Sequence, residues 1–329
     1  LKPSIVLKSR VRLHRNLSNY PFSNSLDKKE SLVIFKHINN ALNDLGLDLK
    51  IFKWDKLTAL KKRVFLEKGL ITEAFYANNY EGSALACTKD ISFLINEDDH
   101  LVIQVIRPGK DLDSVWKMTS TLDDKLGKKL EFAFDTEIGF LTACPTKAGT
   151  GLKVASVLHL PALTMSKQMP EIIRALVEKR IFTRPVFGVG TLACGHYFFF
   201  ETNVSTGSSE QQIINNIKNE INYLEAKEIQ NREKMISKDK LWLTDKVERA
   251  IAVLRYAKLL SYDEAIDYLS ILRMGIDLGL YGQRKTLKKI DNLSTTIRSG
   301  HLQTRARKAL NESQEEVNRA ELVRMKLKL

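Results

Sequence analysis

With 329 residues, 43% of them hydrophobic, the chain can bury two separate cores and has the composition of a globular protein. No apolar run approaches the roughly 20 residues of a membrane helix, which excludes a helical membrane span. The formal charge of +13 calls for an anionic partner; the basic residues are not interleaved with aromatics in one patch, so a nucleotide-like substrate is the stronger reading and nucleic acid the weaker.

Residues 1–7 are too short an apolar stretch for a secretory signal, and the lack of an initiator Met fits numbering that begins inside a longer chain. Residues 4–17 alternate as a strand does. Arg10 and Arg12 then point to one face, Val11 and Leu13 to the other. Two planar guanidinium forks side by side suit a polyphosphate; a polar outer strand face is the other reading. Residues 27–45 predict an amphipathic helix on Leu32, Phe35, Ile38 and Leu42, and residues 54–68 a second, with Lys61-Lys62-Arg63 as its solvated face. Between Gly82 and Ile106, two strand-like runs flank Asn96-Glu97-Asp98-Asp99-His100. An apolar strand that enters an acidic cluster and leaves it again fits a site edge, with Glu97, Asp98 or Asp99 as general base; an acidic hairpin turn fits equally. Residues 111–130 predict a helix.

Residues 139–163 hold the densest pattern. A strand over 140–143 breaks at Cys144-Pro145, because proline cannot donate to a ladder. A turn with Gly149, Thr150 and Gly151 follows, and Lys153 stands before a second strand over 154–160. Such a turn lets backbone N–H groups approach a phosphate beside one cation. An ordinary strand pair with a flexible turn is the alternative, since no P-loop or dinucleotide fingerprint is present. Residues 169–179 predict a helix. Arg184-Pro185-Val186-Phe187-Gly188-Val189-Gly190 reads as a glycine-containing loop with one arginine. Tyr197-Phe198-Phe199-Phe200 reads as a buried strand whose aromatics are core. The three cysteines, Cys87, Cys144 and Cys194, show no metal-like spacing and fit a reducing cytoplasm.

Ser208-Ser209-Glu210-Gln211 opens a long helix with Ile213, Ile214, Ile217, Ile221 and Leu224 buried. Residues 227–240 read as a charged linker or exposed helix end. Beyond them only helices are predicted: one on Leu243, Val247, Ile251 and Leu254, one capped at Ser261, and one over 313–327. The division is therefore 1–236, mixed α/β, and 237–329, all-helical. From Arg284 onward twelve Lys/Arg stand against five Asp/Glu, a solvated helical face by default.

Taken together, these stretches resemble the phosphagen kinase superfamily and, within it, the bacterial protein-arginine kinases (McsB-type). Lys8-Ser9-Arg10-Val11-Arg12-Leu13-His14-Arg15-Asn16-Leu17 is similar to the family's Ser-Ser-Arg-Val-Arg-Leu-Ala-Arg-Asn-Leu. Residues 96–101 resemble its Asn-Glu-Glu-Asp-His-Leu, residues 139–163 its strand–Cys-Pro-Thr–turn–strand, and residues 264–280 and 317–324 its helical C-terminal domain. The resemblance implies an α+β fold, a curved and mostly antiparallel sheet flanked by helices, then an all-helical domain. It implies ATP-dependent phosphorylation of arginine residues in proteins, with Mg²⁺. Arg10, Arg12, Lys153 and Arg184 would hold the ATP phosphates, Asp98 with Glu97 would orient and deprotonate the target guanidinium, and Cys144 would help to place it. It further implies a cytoplasmic homodimer, a small zinc-binding activator and a AAA+ protease.

The sequence departs from that pattern at several positions. The second acidic residue is Asp98, one methylene short of the family's glutamate. Val102 replaces an arginine, Lys153 keeps the charge of another without its fork, and Gly69 stands where a nucleotide-contacting histidine is expected. Pro185 and Val189 replace the first glycine and the glutamate of the mobile loop. Glu315 replaces the first arginine of the phosphoarginine-binding motif, where a carboxylate would repel a phosphoryl group. A pseudokinase that binds without transferring phosphate is thus the alternative to an attenuated kinase.

Overall fold

The computed structural model describes residues 4–77, 81–187, 194–203 and 205–328. The alternating run near the N-terminus forms β1 (Val6–Arg15), and Asp27 caps α1 (Lys28–Asn43) through a capping box with Glu30. Next come β2 (Lys50–Lys53), α2 (Ala59–Glu67) and α3 (Glu73–Ala77). The expected helix over 54–68 is shorter, because Thr58 supplies its N-cap and residues 54–56 form a separate 3-10 turn. Gly82 to Ile106 holds three strands rather than two: β3 (Ala84–Cys87), β4 (Ile91–Ile95) and β5 (Leu101–Pro108), followed by α4 (Leu112–Gly127).

The strand expected over 140–143 is confined to a small ribbon, β6 (Phe134–Asp135) with β7 (Gly139–Phe140). Residues 141–143 instead run irregularly, tied by Leu141 N–H to the Ala133 carbonyl and Ala143 N–H to Asp99. Then follow β8 (Leu152–His159), α5 (Pro161–Met165), α6 (Met169–Glu178), β9 (Ile181–Phe187) and β10 (Cys194–Thr202). Arg184 to Phe187, expected in a loop, belong to β9 because β10 pairs with them; Gly188, Val189 and Gly190 lie outside the described residues.

Ser209 caps α7 (Glu210–Tyr256), which continues through the expected linker. Glu228 and Arg232 explain the difference: they pair at 2.7 Å and are buried, so the charge there serves a contact and not solvent. The helix is interrupted at Asp239, whose backbone is non-helical (φ −158°, ψ 82°). The chain ends in α8 (Tyr262–Asp277), α9 (Leu287–Thr296), α10 (Ser299–Ala306) and α11 (Glu312–Leu327), of which α9 and α10 had no clear sequence signal.

Eight strands form one antiparallel sheet in the order β2-β3-β4-β5-β1-β8-β10-β9. Side chains alternate between its faces. Val11, Leu13, Val154, Ile103, Phe198 and Phe200 join the main core, where α1, α4 and the first half of α7 cover the sheet. The odd-numbered members of β8 and β10 and the even-numbered members of β1 from Lys8 onward point the other way, the register shifting between Val6, which joins the main core, and Lys8. The helices from α8 onward build a second core with Phe187, Cys194 and Tyr197.

Candidate active site

The register fixes which polar side chains meet. Arg10 lies opposite Ala155, and Arg12 opposite Lys153. Ala155 in turn lies opposite Glu201, and Phe199 opposite Arg184. Paired residues share a face, so Arg10, Arg12, Lys153 and Arg184 stand together on the side away from the main core. Phe199 stands with them: the guanidinium carbons of Arg10 and Arg184 lie 4.8 and 4.9 Å from its ring centre. The aromatic run is buried as expected: Phe198 and Phe200 join the main core and Tyr197 the second, while Phe199, also buried, supports two cations as well.

The cations crowd one another. Burial and the neighbouring Arg10 push the Arg12 guanidinium down to about 10, and the same two causes lower Arg184. Burial also lowers Lys153, whose ammonium donates to the carbonyls of Thr202 (3.1 Å) and Asn203 (2.5 Å). Arg12 donates from Nε to Gln104 at 2.5 Å, while its Nη2 and the Nε of Arg10 are buried without a protein acceptor. Buried donors of this kind are satisfied by water or by a ligand.

The acidic turn is the hairpin between β4 and β5, with Asn96 at φ +52°. Its three carboxylates have different fates. Glu97 is buried and accepts a hydrogen bond from the Thr72 hydroxyl. Asp99 is fully buried and accepts from His14 (2.9 Å), Asn16 (2.8 Å) and the Ala143 N–H (2.8 Å). Asp98 remains 53% exposed and pairs with Lys147 at 2.8 Å. Cys144 is joined to the same turn, since Lys147 donates its N–H to the Cys144 carbonyl. The Cys144 thiol lies 3.1 Å from the Thr146 hydroxyl, and this contact lowers its pKa.

The two groups of predicted residues lie within electrostatic reach. Glu97 and Asp98 act on Arg12, and Lys147 acts on Lys153. A cluster of four cations thus adjoins a carboxylate–thiol edge, so that an anion and a cationic group have neighbouring places on this face. Of the positions read from the sequence as departures from the family pattern, Val102 is buried with Trp54, Phe65, Phe75, Leu85 and Leu94. Gly69 follows the end of α2 with φ +71°, a conformation that favours glycine over histidine. Glu315 accepts from Ser299 and Gln303, and Arg319 is buried, donating to the carbonyls of Ile297 and Leu260.

Sequence reasoning missed Glu201, Lys147, His14 and Gln104. Glu201 left one faint trace: an acid two residues after Phe199 in an otherwise aromatic strand. Lys147 left none, as a lysine in a turn is ordinary.

A family profile described as ATP:guanido phosphotransferase, C-terminal catalytic domain, matches residues 33–231. A second, described as protein-arginine kinase McsB C-terminal domain, matches residues 240–329. A protein-arginine kinase of Halothermothrix orenii is 34% identical over 327 residues, 99% of this chain and 93% of its own. One of Clostridium kluyveri is 35% identical over 328 residues, 98% of this chain and 94% of its own. Among solved structures, the duplicated taurocyamine kinase of Schistosoma mansoni with bound transition state analog components gives a TM-score of 0.62 at 20% identity, over 74% of this chain and 37% of its own. A lombricine kinase gives 0.59 at 18%, over 68% and 66%. At these identities the two structures show the fold alone.

Proposed function

Because the chain belongs to the protein-arginine kinase family of ATP:guanido phosphotransferases, we propose that it phosphorylates arginine side chains of proteins with ATP, at an attenuated rate. The observation that carries this reading is the gathering of Arg10, Arg12, Lys153 and Arg184 on one face of one sheet. These cations would bind the ATP phosphates. In the transfer, a guanidino nitrogen forms a bond to the γ-phosphorus as the bond from that phosphorus to the β,γ-bridging oxygen breaks, with ADP leaving. The guanidinium proton passes to the Asp98 carboxylate. That acceptance is productive only as the new bond forms, since free arginine holds its proton above pH 12. Glu97 and Cys144 would orient the guanidinium.

Mg²⁺, when bound, would neutralise phosphate charge. Among the described residues no three His, Cys, Asp or Glu side chains form a metal-ligand cluster.

Attenuation follows from the substitutions. A lost transition-state donor costs on the order of 10² to 10³ in rate. Lys153 offers no fork, and Asp98 must first release Lys147. The same two features favour a second reading, a pseudokinase that binds nucleotide without transferring it. Purified chain with Mg²⁺-ATP and an arginine-rich protein such as casein should yield acid-labile phosphate; a signal no higher than that of Asp98→Ala ends the kinase reading. Restoring Val102→Arg, Asp98→Glu and Val189→Glu together should raise the rate. It should also lower stability, because Val102 sits in an apolar cluster.

The remaining elements of this reading rest on the family resemblance: residues 1–236 as catalytic domain, dimerisation through residues 237–329, a cytoplasmic setting, a zinc-binding activator and a AAA+ protease partner. Among the described residues no helix is long and apolar enough to cross a membrane.

A further inference from the structure

We propose that Glu201 is a built-in occupant of the phosphate cradle, a carboxylate that competes with an incoming polyphosphate for Arg10 and so sets how much negative charge the site accepts. The inference rests on reading the four cations as a phosphate site. It arises from a row across three strands, Arg10 on β1, Ala155 on β8 and Glu201 on β10. Ala155 carries only a methyl group. The Arg10 side chain therefore spans it and reaches the Glu201 carboxylate at 2.5 Å.

A carboxylate offers a guanidinium the same paired oxygens that a phosphate does. Glu201 is thus a chemical substitute for one phosphate, attached to the chain. The cradle retains capacity beyond it: Nη2 of Arg12 and Nε of Arg10 are buried without protein acceptors, and Arg184 packs on the same Phe199 ring as Arg10. Burial raises the Glu201 pKa, but the charges of Arg10, Arg12 and Lys153 outweigh this and hold it below the ordinary value. Glu201 is therefore ionised at neutral pH. An entering polyphosphate must displace it from Arg10 or lie beside it, and like charge opposes both.

The test is isothermal titration of the 329-residue chain and its Glu201→Gln variant with inorganic tripolyphosphate, pyrophosphate and phosphate. Removing the charge while keeping the shape should tighten tripolyphosphate at least tenfold, pyrophosphate less and phosphate least. A merely structural role for Glu201 would not produce a gain graded by ligand charge. Equal or weaker binding by the variant, with the unsubstituted chain binding normally, overturns the proposal and leaves the phosphate site intact; Glu201 then serves to order Arg10. If neither folded protein binds any of the three anions, the phosphate site itself is overturned along with the proposal. Should Glu201→Gln fail to fold, Glu201→Asp draws the charge back by one methylene. It should show the same graded order with smaller gains, and a flat response overturns the proposal.

Discussion

Asp99 ties together the segments that carry the candidate site residues. It joins the end of β1, through His14 and the following Asn16, to the irregular segment before Cys144. Burial acts to raise its pKa, but the His14 hydrogen bond and charge and the Ala143 N–H bring it down to about 2. Burial keeps His14 below its ordinary value, so the pair is a neutral imidazole donating to a carboxylate. Both groups bind protons more weakly in the folded protein. Their contribution is complete above pH 6.5 and is lost as pH falls, first through the His14 range and then between 3.8 and about 2. Burial lowers His100 and His159 too, and brings His196 to about 4, which adds to the same trend. Urea midpoints should therefore decline from pH 7 to pH 5; a flat profile contradicts the assignment. Asp99→Asn should cost about 1–3 kcal/mol at pH 7, measured by urea unfolding, because it leaves a buried donor facing an amide N–H.

At the level of elements, the contact of α7 with α8 depends on a missing side chain. A Cβ on Gly275 would stand 2.6 Å from a methyl of Val247. Gly275 lies within α8 and its φ is not positive, so Gly275→Ala would gain helix propensity of about 1 kcal/mol if space allowed. The overlap with a stiff β-branched residue outweighs that gain. We expect a net loss of about 1–3 kcal/mol, with a compensating rise when Val247→Ala is added. A Gly275→Ala protein as stable as the parent would show that α8 shifts freely. Helix α7 itself was readable at its start from the capping-box pattern at Ser208 to Gln211, and the box forms one residue on, between Ser209 and Gln212. Its passage through residues 227–238 was not, because the buried Glu228–Arg232 pair looks, in sequence, like solvated charge.

Across the whole molecule, Glu67 links the two family segments. It closes α2, is buried, and accepts from the N–H groups of Gly300 and His301 and from the His301 ring at the start of α10. Burial acts to raise its pKa, but the His301 and Gly300 hydrogen bonds hold it below the ordinary value. It acts as a remote cap, carrying negative charge to a helix N-terminus. Glu67→Ala should cost about 2–4 kcal/mol. It should also increase amide hydrogen exchange in α10 more than in α7. Unchanged exchange in α10 would show that other contacts hold the segments together.

The sequence alone pointed to the family, to β1, to most of the longer helices and to residue types suited to holding phosphate and taking up a proton, but not to β9, α9, α10 or the continuity of α7. These follow from local periodicity, caps and short motifs, which are properties of neighbouring residues. Arg10 and Arg12 were placed on one face simply by being two apart on a strand. Only tertiary structure decided what confronts them. Glu201 meets Arg10 because β8 lies between β1 and β10 with a small residue at the crossing. Lys147 meets Asp98 because an irregular segment folds over a hairpin formed 49 residues earlier. Pairings across such distances depend on strand register and loop closure, and no local pattern in the chain encodes them.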